Sequence, residues 1–445
     1  MEKQGVPVVL EIWNTPDLAG MTKNYNVRNG VPEARMVLTP PDTALASLKG
    51  YIPDFIDALT RPLIADEKWS GTYEPPTSPR ILMTGTLDEV QSYFEGDLTK
   101  FTAMAPHAWM TDGLPIIPPT EERVARMLQG TSHSPDEIIE IASKGVLVAL
   151  PTVEKVAINA VMAGCKPEYL PVVLAILEVG ARQGGTSDCS GGATFVVSGP
   201  IAKEIGMNAG IELLAPGNPA NSSISRVCAL MTINLTDTEV GIGTIGRIGT
   251  PLWGLTWAES EDSPWMGLNE DAGYGANESV LIRLAGHVNL VPPCTSGMVM
   301  TPTNLFNFQN SSPESLVAAL TTPTENLGSI VFFTPSTARN WKEVYGFQTM
   351  QQLQDYLYDN VTREKGELVA HYRFYAMSQE AGRNERGSRM FNPDHLDLPD
   401  DAQMPFIFRG PESIKIVVAG GDGDAWGWGT YFYTNPKSTS IDKWR

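Results

Sequence analysis

The sequence predicts an α/β protein in which an incomplete N-terminal βαβ domain is followed by a larger mixed α/β domain. Three observations predict it. Short apolar runs such as Val6 to Trp13, Ala193 to Ser198 and Ile414 to Ala419 have strand length. Stretches with apolar residues at helical spacing alternate with them, and Gly/Pro breaks punctuate the joins. At 445 residues the chain is also too long for one ordinary core.

The opening, Met1-Glu-Lys-Gln-Gly5, reads as the last turn of a helix closed by a C′ glycine, with a buried strand, Val6 to Trp13, directly after it. A parallel strand is entered from a crossover helix, so this start leads to the expectation that another polypeptide supplies an earlier strand and helix. The alternative is an ordinary edge strand behind a short lead. A helix and a strand near Ala34 to Thr39 complete residues 1–61 as a partial βαβ unit. Residues 62–79, centred on WSGTYEPPTSP, read as a linker or wrapping arm.

Residues 80–445 form the expected second domain, and a further division, if there is one, falls near 310–330. A strand over Arg80 to Thr84 and a helix after Thr86 open it. Ser134-Pro-Asp-Glu137 reads as a capping box with Pro at the first helical position. Thr152 is expected to cap VEKVAINAVMAG, and Gly164 to close it. The next helix runs from Pro167 to about Arg182 on a stripe of Tyr169, Val172, Val173, Ile176 and Leu177. Ala193 to Ser198 leads into Gly199-Pro200, Ile330 to Thr334 leads into a helix capped by Ser336, and Thr349 with Gln352 opens MQQLQDYLYDNV. Ile414 to Ala419 is expected to be the last strand. The residues show no internal repeat.

Composition excludes some functions. With 51 acidic against 32 basic residues and a formal charge of -19, a phosphate-backbone footprint is not expected. Cys165, Cys189, Cys228 and Cys294 are dispersed without CxxC, which suits a reducing cytoplasm. Apolar stretches end well short of the ~18 residues that a spanning helix needs.

Several segments carry candidate chemistry. Gly241-Ile-Gly243-Thr-Ile-Gly246 has dinucleotide-fingerprint spacing, but Pro251 and the neighbouring glycines oppose the helix that a Rossmann turn should open, so it reads as a glycine-rich loop. Thr111-Asp-Gly-Leu-Pro115 places a carboxylate before a helix start. Asp112 with the nearby His107 makes a candidate acid/base pair, and Trp109 lies between them; the alternatives are a turn cap and a structural histidine. Cys189, in GGTSDCSGG, sits among small residues whose backbone N–H groups can stabilise a thiolate, although Asp188 opposes it. Asn221 and Arg226 at the start of an apolar helix suit a carboxylate ligand, or simply a capped start with a solvated Arg. Glu259, Glu261, Asp262 and Trp265 form an acidic, aromatic loop, and Asn159 joins Trp109, Asn221, Arg226 and Glu259 as candidate substrate contacts. No cofactor is evident. No spacing is diagnostic of a metal, and a carboxylate metal site stays open.

Taken together, TDGLPIIPPTEERV (from Thr111), AINAVMAGCKPEYLPVVLA (from Ala157), NSSISR (from Asn221) and IKIVVAGGDG (from Ile414) resemble the UGSC-type (seleno)protein family over nearly the whole chain. Members carry a Cys/Sec-Gly-Ser-Cys motif and a helix before text similar to EKQGVPVV. This chain lacks the motif, so the resemblance implies a large subunit whose small partner brings the reactive Cys or Sec. The opening is remotely similar to selenoprotein B of glycine and betaine reductases. The implied function is a cytoplasmic, heteromeric oxidoreductase or carbon–heteroatom lyase. Its partner's thiolate or selenolate acts on a small anionic or thiol-type substrate, with Cys189 as a resolving thiol. A hydratase or lyase using acid/base residues or a metal, and a non-catalytic binding subunit, are the alternatives.

Overall fold

The computed structural model describes residues 8–14, 19, 22, 26, 34–40, 47–68, 79–96, 110–141, 149–180, 193–215, 217–235, 254–284, 289–290, 312–321, 328–371, 398–405, 410–422, 426–430 and 436–445. The α/β class is as expected: helices combine with mixed strands in several sheets. Among the described residues no helix is long and apolar enough to cross a membrane.

In the N-terminal segment β1 (Leu10–Trp13) pairs in parallel with β2 (Met36–Thr39), the arrangement that a βαβ unit produces. Helix α1 (Ile52–Thr60) follows, and Arg35 ties it down through a hydrogen bond to the Ala58 carbonyl and a buried ion pair with Glu67 at 3.3 Å. Thr86 caps α2 (Leu87–Glu95) in a capping box with Glu89, but residues 81–84 before it pair with no strand among the described residues. Thr120 caps α3 (Glu121–Met127).

The Ser134-Pro-Asp-Glu137 box does not open a helix. Its backbone is claimed from outside: Val153 N donates to Glu137 O at 3.0 Å and Glu154 N to Pro135 O at 2.9 Å, so the segment becomes a turn laid across the start of α4 (Val153–Ala163). Thr152 caps α4 and Gly164, with φ of 83°, closes it, both as predicted. The next helix divides into a 3-10 turn, Pro167–Tyr169, and α5 (Leu170–Val179), which is buried almost all round.

Two four-stranded sheets follow, and they repeat one topology. In the first repeat β3 (Ala193–Ser198) runs into the short α6 (Ile201–Glu204) and then α7 (Pro219–Leu235); β4 (Gly254–Ala258) returns parallel to β3. After α8 (Leu268–Asp271), β5 (Val280–Leu284) pairs antiparallel on the other side of β3, and β6 (Asn289–Leu290) ends the series. In the second, α9 (Pro313–Leu320) leads to β7 (Ser329–Phe333), which runs into α10 (Pro335–Glu343) and α11 (Met350–Asn360). An excursion follows: β8 (Thr362–Glu364), α12 (Lys365–His371) and β9 (Gln403–Pro405), with β8 and β9 paired. Then β10 (Ile414–Val418) pairs parallel to β7, β11 (Trp426–Thr430) pairs antiparallel on its other side, and β12 (Lys437–Ser440) closes the chain's strands.

The fourth strands are exchanged. β6 of the first repeat pairs with β11 of the second, and β12 of the second pairs with β5 of the first. Register agrees as well: Val197 lies opposite Ala258 and Leu281, as Phe333 lies opposite Val418 and Trp426. The backbone bond from Glu259 N to Val197 O at 2.9 Å is matched by Ala419 N to Phe333 O at 2.8 Å. The repeat that the residues do not show is thus present in the topology, and Ile414–Val418 is not the last strand.

Alternation along the strands sorts the core. Phe195, Val197, Ala258 and Leu281 face α4, α5 and α7, whereas Val331, Phe333, Ile416 and Val418 face α9 to α11. The opposite faces, with Val196, Trp257 and Ile282 from one sheet and Ile330, Phe332 and Val417 from the other, share one apolar layer. There Trp257 meets Phe332 edge-on at 5.5 Å. The layers therefore run helices, sheet, sheet, helices.

Candidate functional site

The parallel strands of both repeats end on one cleft of about 650 Å³. Ser198 and Gly199 follow β3, Glu259 to Ser263 follow β4, Pro335 follows β7, and Gly420 to Asp422 follow β10; all line it. Ligand crevices in α/β proteins lie outside the carboxyl ends of such strands, because the loops there are free to vary while the sheet holds them rigidly.

The turn after β3 requires its glycine. Gly199 has φ of 100°, and a Cβ there would meet the Glu278 carbonyl at 2.3 Å. The strand is thus pressed against the start of β5, and Ser198 is held in place. Its Oγ donates to Glu259 Oε2 at 2.6 Å and accepts from Asn269 N at 3.1 Å. Leu268 N donates to the same Glu259 oxygen at 2.9 Å. Among the described residues Glu259 Oε1 has no hydrogen-bond partner, although the residue is only 9% exposed and lines the cleft.

Burial pushes the Glu259 carboxyl up, to about 7. The bonds from Ser198 and Leu268 oppose the rise, and the nearby Asp271 and Glu270 add to it. Near neutral pH the group therefore exists in both protonation states, which suits it to take or give a proton at Oε1.

The second wall of the cleft comes from the loop after α6. Met207, Ala209, Gly210 and Ile211 line it, and Gly420 N donates to Ala209 O at 2.8 Å, joining the two repeats at the rim. Asn221 on α7 braces this loop. Its Oδ1 accepts from Asn208 N and its Nδ2 donates to Asn208 O, both at 2.9 Å, with a further bond to Leu213 O at 3.2 Å. Trp265 closes another side, its Nε1 fixed on Phe347 O at 2.8 Å.

The other predicted residues fall elsewhere. Asp112 and Arg226 meet each other: Nε to Oδ2 at 3.1 Å and Nη2 to Oδ1 at 2.9 Å, with Nη2 also on the Leu114 and Pro115 carbonyls. The guanidinium holds the TDGLP turn against α7 in a two-point ion pair. Asn159 Oδ1 accepts from Asn234 Nδ2 at 2.8 Å and its Nδ2 donates to Lys155 O, at the wall of a separate cavity of about 370 Å³ lined by Phe94, Met110, Ile158 and Met162. Of the proposed contacts, then, Glu259 lines the cleft and Asn221 supports its wall. His107, Trp109 and Cys189 lie outside the described residues.

Reading the sequence missed Ser198, which donates to Glu259, and Asn269, whose backbone N donates to Ser198. The signal for Ser198 was its place at a strand end before Gly199-Pro200; Asn269 carried none. Cys165 and Cys228 are free thiols, and burial pushes Cys165 up to about 12 and raises Cys228 further. Among the described residues no three His, Cys, Asp or Glu side chains are grouped to hold a metal ion. The chain matches no family model and no curated protein.

Proposed function

We propose that this chain is an enzyme subunit that carries out acid–base chemistry on a small molecule, of the hydratase or carbon–heteroatom lyase type, with Glu259 as the proton-transfer residue. One observation carries this reading: a buried carboxyl, poised near neutrality, has an oxygen with no partner among the described residues and lines a cleft at the ends of two parallel strand pairs. Ser198 and Leu268 N orient it. In an elimination Oε1 would accept the proton from carbon while the leaving group departs, and in the reverse direction it would return that proton.

The test is turnover of small hydroxy and amino compounds by parent and Glu259→Gln protein. Activity that follows an ionisation near pH 7 and falls by roughly 10²-fold or more in the variant supports the role. Activity that the variant retains removes it.

The motifs similar to the UGSC-type family favour a second reading. Here a small subunit with a Cys/Sec-Gly-Ser-Cys motif would join this large subunit in a hetero-oligomer and act by thiolate or selenolate attack or by thiol redox exchange. This chain would then supply the pocket and protons, with Cys189 as a resolving thiol. Native mass spectrometry after co-expression with a neighbouring small reading frame decides it: a stable hetero-oligomer supports it, a homo-oligomer without partner opposes it. The dispersed cysteines support the cytoplasm as the proposed compartment.

A further inference from the structure

We propose that the cleft takes a substrate bearing an ammonium group, bound through the free oxygen of Glu259 and the cleft's acidic lining; this rests on the proton-transfer role given to Glu259. The lining charges point that way. Five carboxyl groups, Glu259, Glu261, Asp262, Glu270 and Asp422, line the cleft against one amine, Lys203. Lys203 is already bound to Glu261 at 3.0 Å, and Asp422 is met from α10 by Arg339 at 3.3 Å. Glu270 is engaged only by Gly267 N, at 3.4 Å, and Asp262 has no ion-pair partner among the described residues. Among the described residues the cleft lining has no unpaired cation to hold an anion, and the unpaired carboxylates would repel one.

Exposed acidic side chains alone would say little, but Glu259 differs from them in being buried and fixed by Ser198 and Leu268. It is nine-tenths buried, and among the described residues its Oε1 has no donor, so a molecule in the cleft can bond to it. An ammonium N–H supplies both donor and charge on one lone pair of Oε1 and leaves the other for the carbon proton. Trp265, buried beside the same cavity, offers an aromatic surface of the kind that attracts cations. Asp271 and Glu270 on α8 act on the Glu259 carboxyl, and Lys203 on α6, Glu261 and Asp262 after β4 and Asp422 after β10 line the same cleft.

Three probes of one size separate the possibilities: n-butylammonium, 1-butanol and pentanoate, titrated into the full chain by ligand-observed NMR. Butylammonium should bind most tightly, and about tenfold more tightly at pH 8 than at pH 6 as Glu259 ionises. In Glu259→Gln that pH dependence should vanish. Asp262→Asn and Glu270→Gln should each weaken binding roughly two- to fivefold and keep it. Butanol or pentanoate binding as well as butylammonium overturns the inference, as does an unchanged pH dependence in Glu259→Gln. The ligand-free protein separates the two claims. If Glu259 titrates near 7 without any ammonium preference, the substrate class alone is wrong; if it does not, the proton-transfer role fails first.

Discussion

Replacing Glu259 with Gln should stabilise the protein above neutral pH and progressively less in acid. The folded carboxyl is raised from 4.5 to about 7, so the folded state holds its proton more tightly than the unfolded chain does. That contribution is present in full below 4.5, is lost as pH rises toward 7, and leaves a penalty above it. At roughly 1.4 kcal/mol per unit the penalty reaches about 3 kcal/mol. Gln keeps an oxygen for Ser198 Oγ and Leu268 N and turns an uncharged amide toward the cleft, so the penalty disappears while the bonds remain. Urea unfolding of both proteins from pH 5 to 8.5 checks this. The difference should grow from about 1 kcal/mol at pH 5 to a plateau near 3 above pH 7.5, apart from a constant offset. Parallel curves across the range would refute the reasoning, because they would mean that Glu259 ionises alike in both states. A group kept at such a cost fits a site where function opposes stability.

Other consequences are as direct. His133 pairs with Glu137 at 2.9 Å and the Lys443 carbonyl at 2.6 Å, against Trp444; burial opposes its charge, but these partners outweigh burial and raise it above 6.5. Its charged pairing with Glu137 is therefore full below pH 6.5 and lost as pH rises through the folded value, which loosens its hold on the C-terminal residues. Carboxypeptidase should trim the chain faster at pH 8 than at pH 6, and His133→Phe should remove that difference. Gly130→Ala would place a Cβ 1.8 Å from the Pro167 carbonyl and should cost about 3 kcal/mol by urea unfolding; a neutral substitution would contradict the packing of the 3-10 turn Leu128–Gly130, after α3, on the 3-10 turn Pro167–Tyr169. A double-mutant cycle of Asp112→Asn and Arg226→Gln should give a coupling of about 1 to 2 kcal/mol, since the pair is only 13% and 24% exposed. Zero coupling would mean that the pair is not formed in solution.

Local chemistry was legible and long-range pairing was not. Thr152 with Gly164, and Thr349 with Gln352, cap helices as read, because a cap is decided within four residues. Thr334 rather than Ser336 caps α10: Pro335 already sits at the first helical position, so the cap must precede it. Ser134 to Glu137 has the same local signal and forms no helix, since Val153 and Glu154, distant in sequence, take its carbonyls. The exchanged β6 and β12 could not be read at all, because each pairs with a strand of the other repeat. Glu259 was legible as an acidic loop residue, but its burial came from the meeting of β3, β4 and α8. The Asp112–Arg226 pair joined two residues that had been given separate roles.

A ¹³C NMR titration of the glutamate carboxyls in the ligand-free chain, with Glu259→Gln to assign the signal, decides whether Glu259 is poised to move a proton. One carboxyl titrating near pH 7, absent from the variant, is the result predicted. If every glutamate titrates in the ordinary range near 4.3, Glu259 is a solvated surface acid and the proton-transfer role does not stand.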